Sequence, residues 1–150
     1  MSLIILEIVT PDSIAFSEEV DHVVVPTVNG KIDILEKHIP IIDRVIPGDI
    51  KIKWNGQEKF LAVGSGFVEV YGNKVSIITD QALDVSKEDE RVIDEAIARA
   101  KTSLEEGKKS NLDQAQIELL EAAARFEMAK KIARKKSGWK LILKHTISVL

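Results

Sequence analysis

The chain of 150 residues contains no cysteine. That absence removes disulfide frameworks, thiolate zinc sites and cysteine nucleophiles together, and it fits a reducing compartment. Charge of one sign is also lacking. A net charge of −3 gives no argument for nucleic acid as a partner. No apolar run approaches the roughly 20 residues of a membrane-spanning helix, so any membrane association is expected to run through a partner. The N-terminal MSLIILEIVTPD has no basic stretch before its apolar run, and acidic residues follow soon. Neither a signal nor a transit peptide is expected there, which favours a bacterial source, with a plastid-encoded protein as the alternative.

Motifs of chemistry are missing as well. There is no P-loop, no GxGxxG after a strand, no HExxH and no GxSxG. Gly64-Ser65-Gly66 is nearest to a nucleophile elbow, but it lies between two strand-like segments and reads as a bulge or tight turn. His22, His38 and His145 are scattered without metal-ligand spacing. His22, just before Val23-Val24-Val25, reads as a strand-end residue. His38 stands beside Glu36 and Lys37, and one histidine is not a mechanism. No catalytic residue, required cofactor or metal is expected, and the chain is read as non-catalytic on its own.

What is present divides into two halves of different period. Hydrophobic residues make up 45% and charged residues 30%, a normal globular balance. Up to about residue 85 the period is that of strands: Leu3 to Val9, Val20 to Pro26, Ile32 to Leu35, Ile50 to Trp54, Phe60 to Val63, Phe67 to Tyr71 and Val75 to Thr79. Asn55-Gly56 is a strong hairpin signal and Gly72-Asn73 another turn. Many short strands with close turns predict a β-sandwich or barrel. From Ser86 the period becomes helical. Ser86 with Asp89 reads as a capping-box variant opening a first helix, with Ile93, Ala96, Ile97, Ala100 and Leu104 as its stripe. Gly107 to Asn111 reads as the break. Ser110 or Asn111 then caps a second helix, with Leu112, Ala115, Leu119, Ala123, Phe126, Ala129 and Ala133 as its stripe. The expected architecture is an antiparallel β-sandwich over 1–85 and an αα-hairpin over 86–136. A tail of unknown role follows over 137–150. There Gly138 would end the second helix, and Trp139 to Lys144 would dock amphipathically on a membrane surface or run as an extended strap.

An alanine-lined hairpin buries little area per residue, so at about 25 cal/mol per Å² it is the easier half to detach. Charge separates the halves too. Residues 1–85 carry 7 Lys/Arg against 13 Asp/Glu, net −6, and residues 86–150 carry 14 against 11, net +3. Within 125–144 eight cations stand against Glu127 alone. A solvated helix end is one reading, since cations complement the dipole there. An acidic partner surface is the other, because one dipole of about half a charge does not need eight cations.

In order and spacing, ILEIVTPD, SEEVDHVVVP, GKIDILEKHIP, VIPG, FLAVGSGFVEVYGNKVSIITDQA and the alanine-rich hairpin resemble the epsilon subunit of F-type ATP synthase (delta in the mitochondrial naming) over about residues 3 to 135. The resemblance implies a rotor subunit at the foot of the central stalk. Its sandwich would bind the gamma subunit and sit on the ring of c subunits, helping to couple proton or sodium-ion flow to ATP synthesis. Its hairpin would lie folded on the sandwich or extend along gamma to the alpha and beta subunits of the head, inhibiting ATP hydrolysis. On that basis Glu36, Lys37 and His38 are the expected c-ring contact. Arg125, Lys130, Lys131, Arg134 and Lys135 are the expected inhibitory contact. The implied location is peripheral, on the cytoplasmic face of a bacterial plasma membrane, or on a plastid thylakoid. A free-standing adaptor of the same fold, and a small hydrolase using His38, are the competing readings.

Two departures from the family pattern stand out. The family loop G-x-x-G-I-L-x-x-H-x-P has proline and glycine before its histidine. Here Asp33 replaces the second glycine, and Glu36-Lys37 replace Pro-Gly. Asp33 would then occupy any left-handed position that the glycine served. Family members that bind regulatory ATP resemble I/L-D-x-x-R-A in the first helix. This chain has Ile93-Asp94-Glu95-Ala96-Ile97-Ala98. Asp94 remains, Ile97 takes the arginine position, and Arg99 is placed to pair with Glu95 instead.

Overall fold

Every second residue of the first strand, Ile4, Leu6 and Ile8, is fully buried, and the same alternation organises the rest of the sheet. The computed structural model describes the backbone of residues 3–149 and the side chains of residues 3–137. Its strands are β1 (Ile4–Val9), β2 (Ile14–Val20), β3 (His22–Thr27), β4 (Gly30–Ile34), β5 (Ile41–Val45), β6 (Gly48–Trp54), β7 (Gln57–Val63), β8 (Gly66–Tyr71), β9 (Lys74–Thr79) and β10 (Ala82–Leu83). Two helices follow, α1 (Glu90–Lys109) and α2 (Gln114–Val149).

The strand order is β10-β7-β6-β3-β5-β8-β9-β1-β2, with β4 added to β3. All pairs are antiparallel except β1 with β9. Inward residues from opposite sides of this path, Phe16 and Val20 of β2 at one end and Leu61 and Val63 of β7 next to the other, join one core with Val23, Ile52 and Ile77. The sheet therefore folds over on itself into a sandwich, as expected from the many short strands. Trp54 meets Phe16 edge to face at 5.9 Å across the fold. Asn55 and Gly56 both take positive φ, the type I′ turn that the dipeptide predicts between β6 and β7.

β7 is buried on both faces. Leu61 and Val63 point into the sandwich, whereas Phe60 and Ala62 form a second cluster with Val85, Phe126, Ala129 and Ala133. That cluster seats α2 on the sheet, and α1 packs against α2.

Several helix boundaries differ from the sequence expectation. Asp89, not Ser86, caps α1, its Oδ1 accepting from the Arg91 amide at 2.9 Å. Gly107 does not break the helix. It is a buried position inside α1 whose missing side chain admits Leu120. Asn111, at φ 57°, ends the helix in the left-handed conformation that asparagine tolerates. The cap of α2 is Asp113. Its Oδ1 accepts from the Gln116 amide at 2.8 Å while Gln116 Oε1 accepts from the Asp113 amide at 3.2 Å, a reciprocal capping box.

The stripe of α2 also corrects. Leu119, Ala115 and Ala123 face outward, and Ile117, Leu120 and Ala124 take their places. The first half of α2 turns toward α1 and only the second half, from Phe126, toward the sheet. Gly138 does not end α2, whose backbone stays helical to Val149, so of the two readings of Trp139 to Lys144 the extended strap gives way to helix. One interior glycine costs about 1 kcal/mol relative to alanine, too little to stop a helix flanked by good formers. The amphipathic docking expected of Trp139 to Lys144 falls on side chains outside those described.

Candidate functional site

The loop between β4 and β5 carries Glu36, Lys37 and His38 together at one end of the sandwich. Leu35 to His38 is a tight turn closed by the His38 amide on the Leu35 carbonyl at 3.3 Å. Its third residue, Lys37, has φ 62°. The family proline and glycine fit these second and third turn positions, as a type II turn prefers. The left-handed residue is therefore Lys37 and not Asp33. Asp33 is extended in β4, and its Oδ1 lies 2.9 Å from His22 Nδ1. His38 Nδ1 lies 2.7 Å from the Ile39 carbonyl oxygen, which only accepts, so this nitrogen donates. Leu35 and Ile39 beside it project apolar surface, Ile39 being 70% exposed.

A second surface went unnoticed in the sequence. Register brings Phe67 of β8, Ile78 of β9, Val9 of β1 and Ile14 of β2 into one row across four neighbouring strands. Phe67, Ile78 and Ile14 are 55%, 58% and 63% exposed. Ile42 and Tyr71 are exposed on the same face. A continuous apolar row on a solvent-facing sheet is the mark of a protein-binding face. The signal was available as two adjacent apolar residues, Ile77-Ile78, in an alternating strand: one of the two has to point outward.

The cations of α2 are divided in their tasks. Lys131 Nζ pairs with Asp94 of α1 at 2.7 Å, and Arg134 Nε donates to the Glu88 carbonyl at 2.8 Å. Lys136 Nζ reaches Asp49 of β6 at 2.7 Å. Lys130 pairs with Glu127 at 2.8 Å and lies over the Phe126 ring. Arg125 and Lys135 point outward and make no ion pair among the described residues. Nor does an ion pair join Arg99 to Glu95 there, although their spacing allows one. Ile97 is half-buried. Among the described residues no group of three or more His, Cys, Asp or Glu could hold a metal ion.

Gly64-Ser65-Gly66 is a close-approach turn. The Gly64 amide donates to the Gln81 carbonyl at 2.9 Å, and a Cβ on Gly64 or Gly66 would collide with the Asp80 side chain or the Ile78 carbonyl. The segment running into α1 is pinned by charge. Burial pushes the Asp84 carboxyl up, but the Ser86 amide and hydroxyl and the Lys59 ammonium outweigh it and hold it below its ordinary value. On the β5 side, the Asn29 amide group and the Arg44 backbone N–H hold Asp43 low.

Residues 3–85 match the family described as ATP synthase, Delta/Epsilon chain, beta-sandwich domain. An ATP synthase epsilon chain of Herpetosiphon aurantiacus is 35% identical over 126 residues, covering 83% of this chain and 93% of that relative. One from Desulfitobacterium hafniense is 36% identical over 128 residues, covering 83% and 95%. In fold the chain is similar to one in the Euglena gracilis mitochondrial ATP synthase OSCP/F1/c-ring assembly. The TM-score is 0.72 at 20% identity, over 89% of this chain and 82% of that one.

Proposed function

Because the chain belongs to the ATP synthase delta/epsilon family, we propose that it works as a non-catalytic rotor subunit of the central stalk, joining the gamma subunit to the c ring. The outer apolar row docks on gamma. The loop with Glu36, Lys37 and His38 meets the polar loops of the c ring. Through these two contacts the sandwich helps to couple ion flow to ATP synthesis. Its place is peripheral, on the inner face of a bacterial plasma membrane. The hairpin detaches to reach the alpha and beta subunits with Arg125, Lys130, Lys131, Arg134 and Lys135, and so restrains ATP hydrolysis. It does this without bound ATP, since Asp94 is held by Lys131 and Ile97 stands at the motif arginine position.

The observation that carries this reading is the row Phe67, Ile78, Val9 and Ile14. Large apolar side chains that contribute little to the sandwich core gain their burial from a partner. The double substitution F67S/I78S tests it. The expected result is a folded sandwich that no longer co-purifies with gamma. Undiminished binding overturns the docking assignment.

A further inference from the structure

Asp49 on β6 is 7% exposed, a carboxylate removed from water near the base of the docked helix. Lys136 Nζ lies 2.7 Å from its Oδ2, and Lys31 Nζ lies 3.8 Å from its Oδ1. Lys31 is on β4 and stays with the sandwich. Lys136 is on α2 and leaves with the hairpin. The lysine also sits over the Phe60 ring, 5.7 Å from its centroid, next to the apolar seat of Phe126, Ala129 and Ala133. The apolar contact and the ion pair therefore break together when the hairpin lifts.

An ion pair shielded from water by the docked helix is worth more than an exposed one, and that gain is lost when α2 lifts and water reaches Asp49. Undocking carries that charge cost in addition to the exposure of Phe60. The cost falls if an incoming carboxylate takes the α2 cations as they leave. Arg125 and Lys135, outward and without an ion pair among the described residues, are open to such an acidic segment while the hairpin is still docked. We propose that Asp49 is a latch for α2: by holding Lys136 it favours the docked hairpin, and an acidic partner surface that takes the α2 cations makes release easier. The latch is a property of the isolated chain. Only its consequence for ATP hydrolysis rests on the inhibitory reading of the hairpin.

The test uses the full chain with cysteines introduced as S17C on β2 and S103C on α1, both exposed, and spin labels attached to them. The inter-label distance distribution reports docked and released hairpin. D49N is expected to raise the released fraction about tenfold, with the partial exposure of Lys136 already discounted. K136Q should do the same, whereas K31Q, which leaves the 2.7 Å pair of Lys136 and Asp49 in place, should not raise the released fraction. Added salt should release the parent hairpin more than that of D49N. Where D49N fails to fold, K136Q decides, because it alters a helix side chain outside the sandwich core. Parent-like distances in K136Q and in folded D49N overturn the latch. Release in the isolated chain with unaltered ATPase inhibition in the reconstituted complex leaves the latch standing and overturns the inhibitory reading.

Discussion

Leu120 on α2 occupies the space beside Gly107 on α1. A β-carbon at that glycine would sit 2.6 Å from the Leu120 Cδ1 and 3.0 Å from the Leu112 Cδ1. The two helices close on each other there because one of them has no side chain. Both obstructing atoms are ends of flexible side chains, so the consequence depends on the size of the added group. G107A is expected to be near neutral in thermal unfolding, the helix propensity gained (about 1 kcal/mol) offsetting the displaced methyls. G107V should cost roughly 1–3 kcal/mol by overpacking. Equal stability of the two variants would mean that the seam is looser than its geometry.

Phe60 should separate hairpin docking from sandwich folding, since its ring faces α2 while its neighbour Leu61 faces the core. F60A is expected to cost on the order of 3 kcal/mol, most of it in docking. Limited proteolysis should then cleave between Val85 and Glu90 faster while the sandwich stays resistant. Uniform loss of resistance would show that the two units unfold together.

Lys37 holds a left-handed conformation that costs a residue with a β-carbon roughly 1–2 kcal/mol. K37G should raise stability in denaturant unfolding by up to about 1 kcal/mol, once the greater freedom of glycine in the unfolded chain is allowed for. A destabilised K37G would mean that the lysine side chain holds the turn by contacts of its own.

Exchanging the two charges of that turn, as E36K/K37E, keeps its size and net charge and reverses its local field. Coupling of ATP hydrolysis to ion pumping in the reconstituted complex should weaken at low salt and recover as ionic strength screens the loop. A salt-independent response would remove charge from the ring contact.

Acid should weaken the segment leading into α1 and the outer edge of β5. Asp84 and Asp43 are both held below the ordinary aspartate value of 3.8. A carboxylate lowered by folding stabilises the protein above its unfolded pKa, and that contribution disappears as pH falls through the folded one. D84N should therefore destabilise at pH 7, and its cost should shrink as pH falls through the folded pKa of Asp84. A pH-independent cost would assign its effect to shape and not to charge.

How much of this was legible depended on whether the cause was local. The Asn55-Gly56 hairpin and the alternation of β1, β6, β8 and β9 followed from neighbouring residues. β2 escaped notice because only Phe16 and Val20 turn inward, with Ser17-Glu18-Glu19 solvated at the sheet edge. β5 escaped because Ile42, exposed on the outer face, interrupts its alternation. The four apolar residues of Phe60 to Val63 carried a two-sided burial that a plain strand reading does not use. The Asp49–Lys136 pair was beyond reach, since its partners stand 87 positions apart. The charge cluster of α2 was visible, but its division into engaged and outward-facing cations needed the docked helix.

The double burial of β7 also gives the released protein a different surface chemistry. Phe60, Ala62 and Val85 lose their cover of Phe126, Ala129 and Ala133 whenever the hairpin lifts, and the cover itself becomes an apolar stripe on a bare helix. Two sticky faces then appear at once on one molecule, each matched to the other face of a second copy. Conditions that free the hairpin without supplying a partner should therefore favour exchange of hairpins between chains.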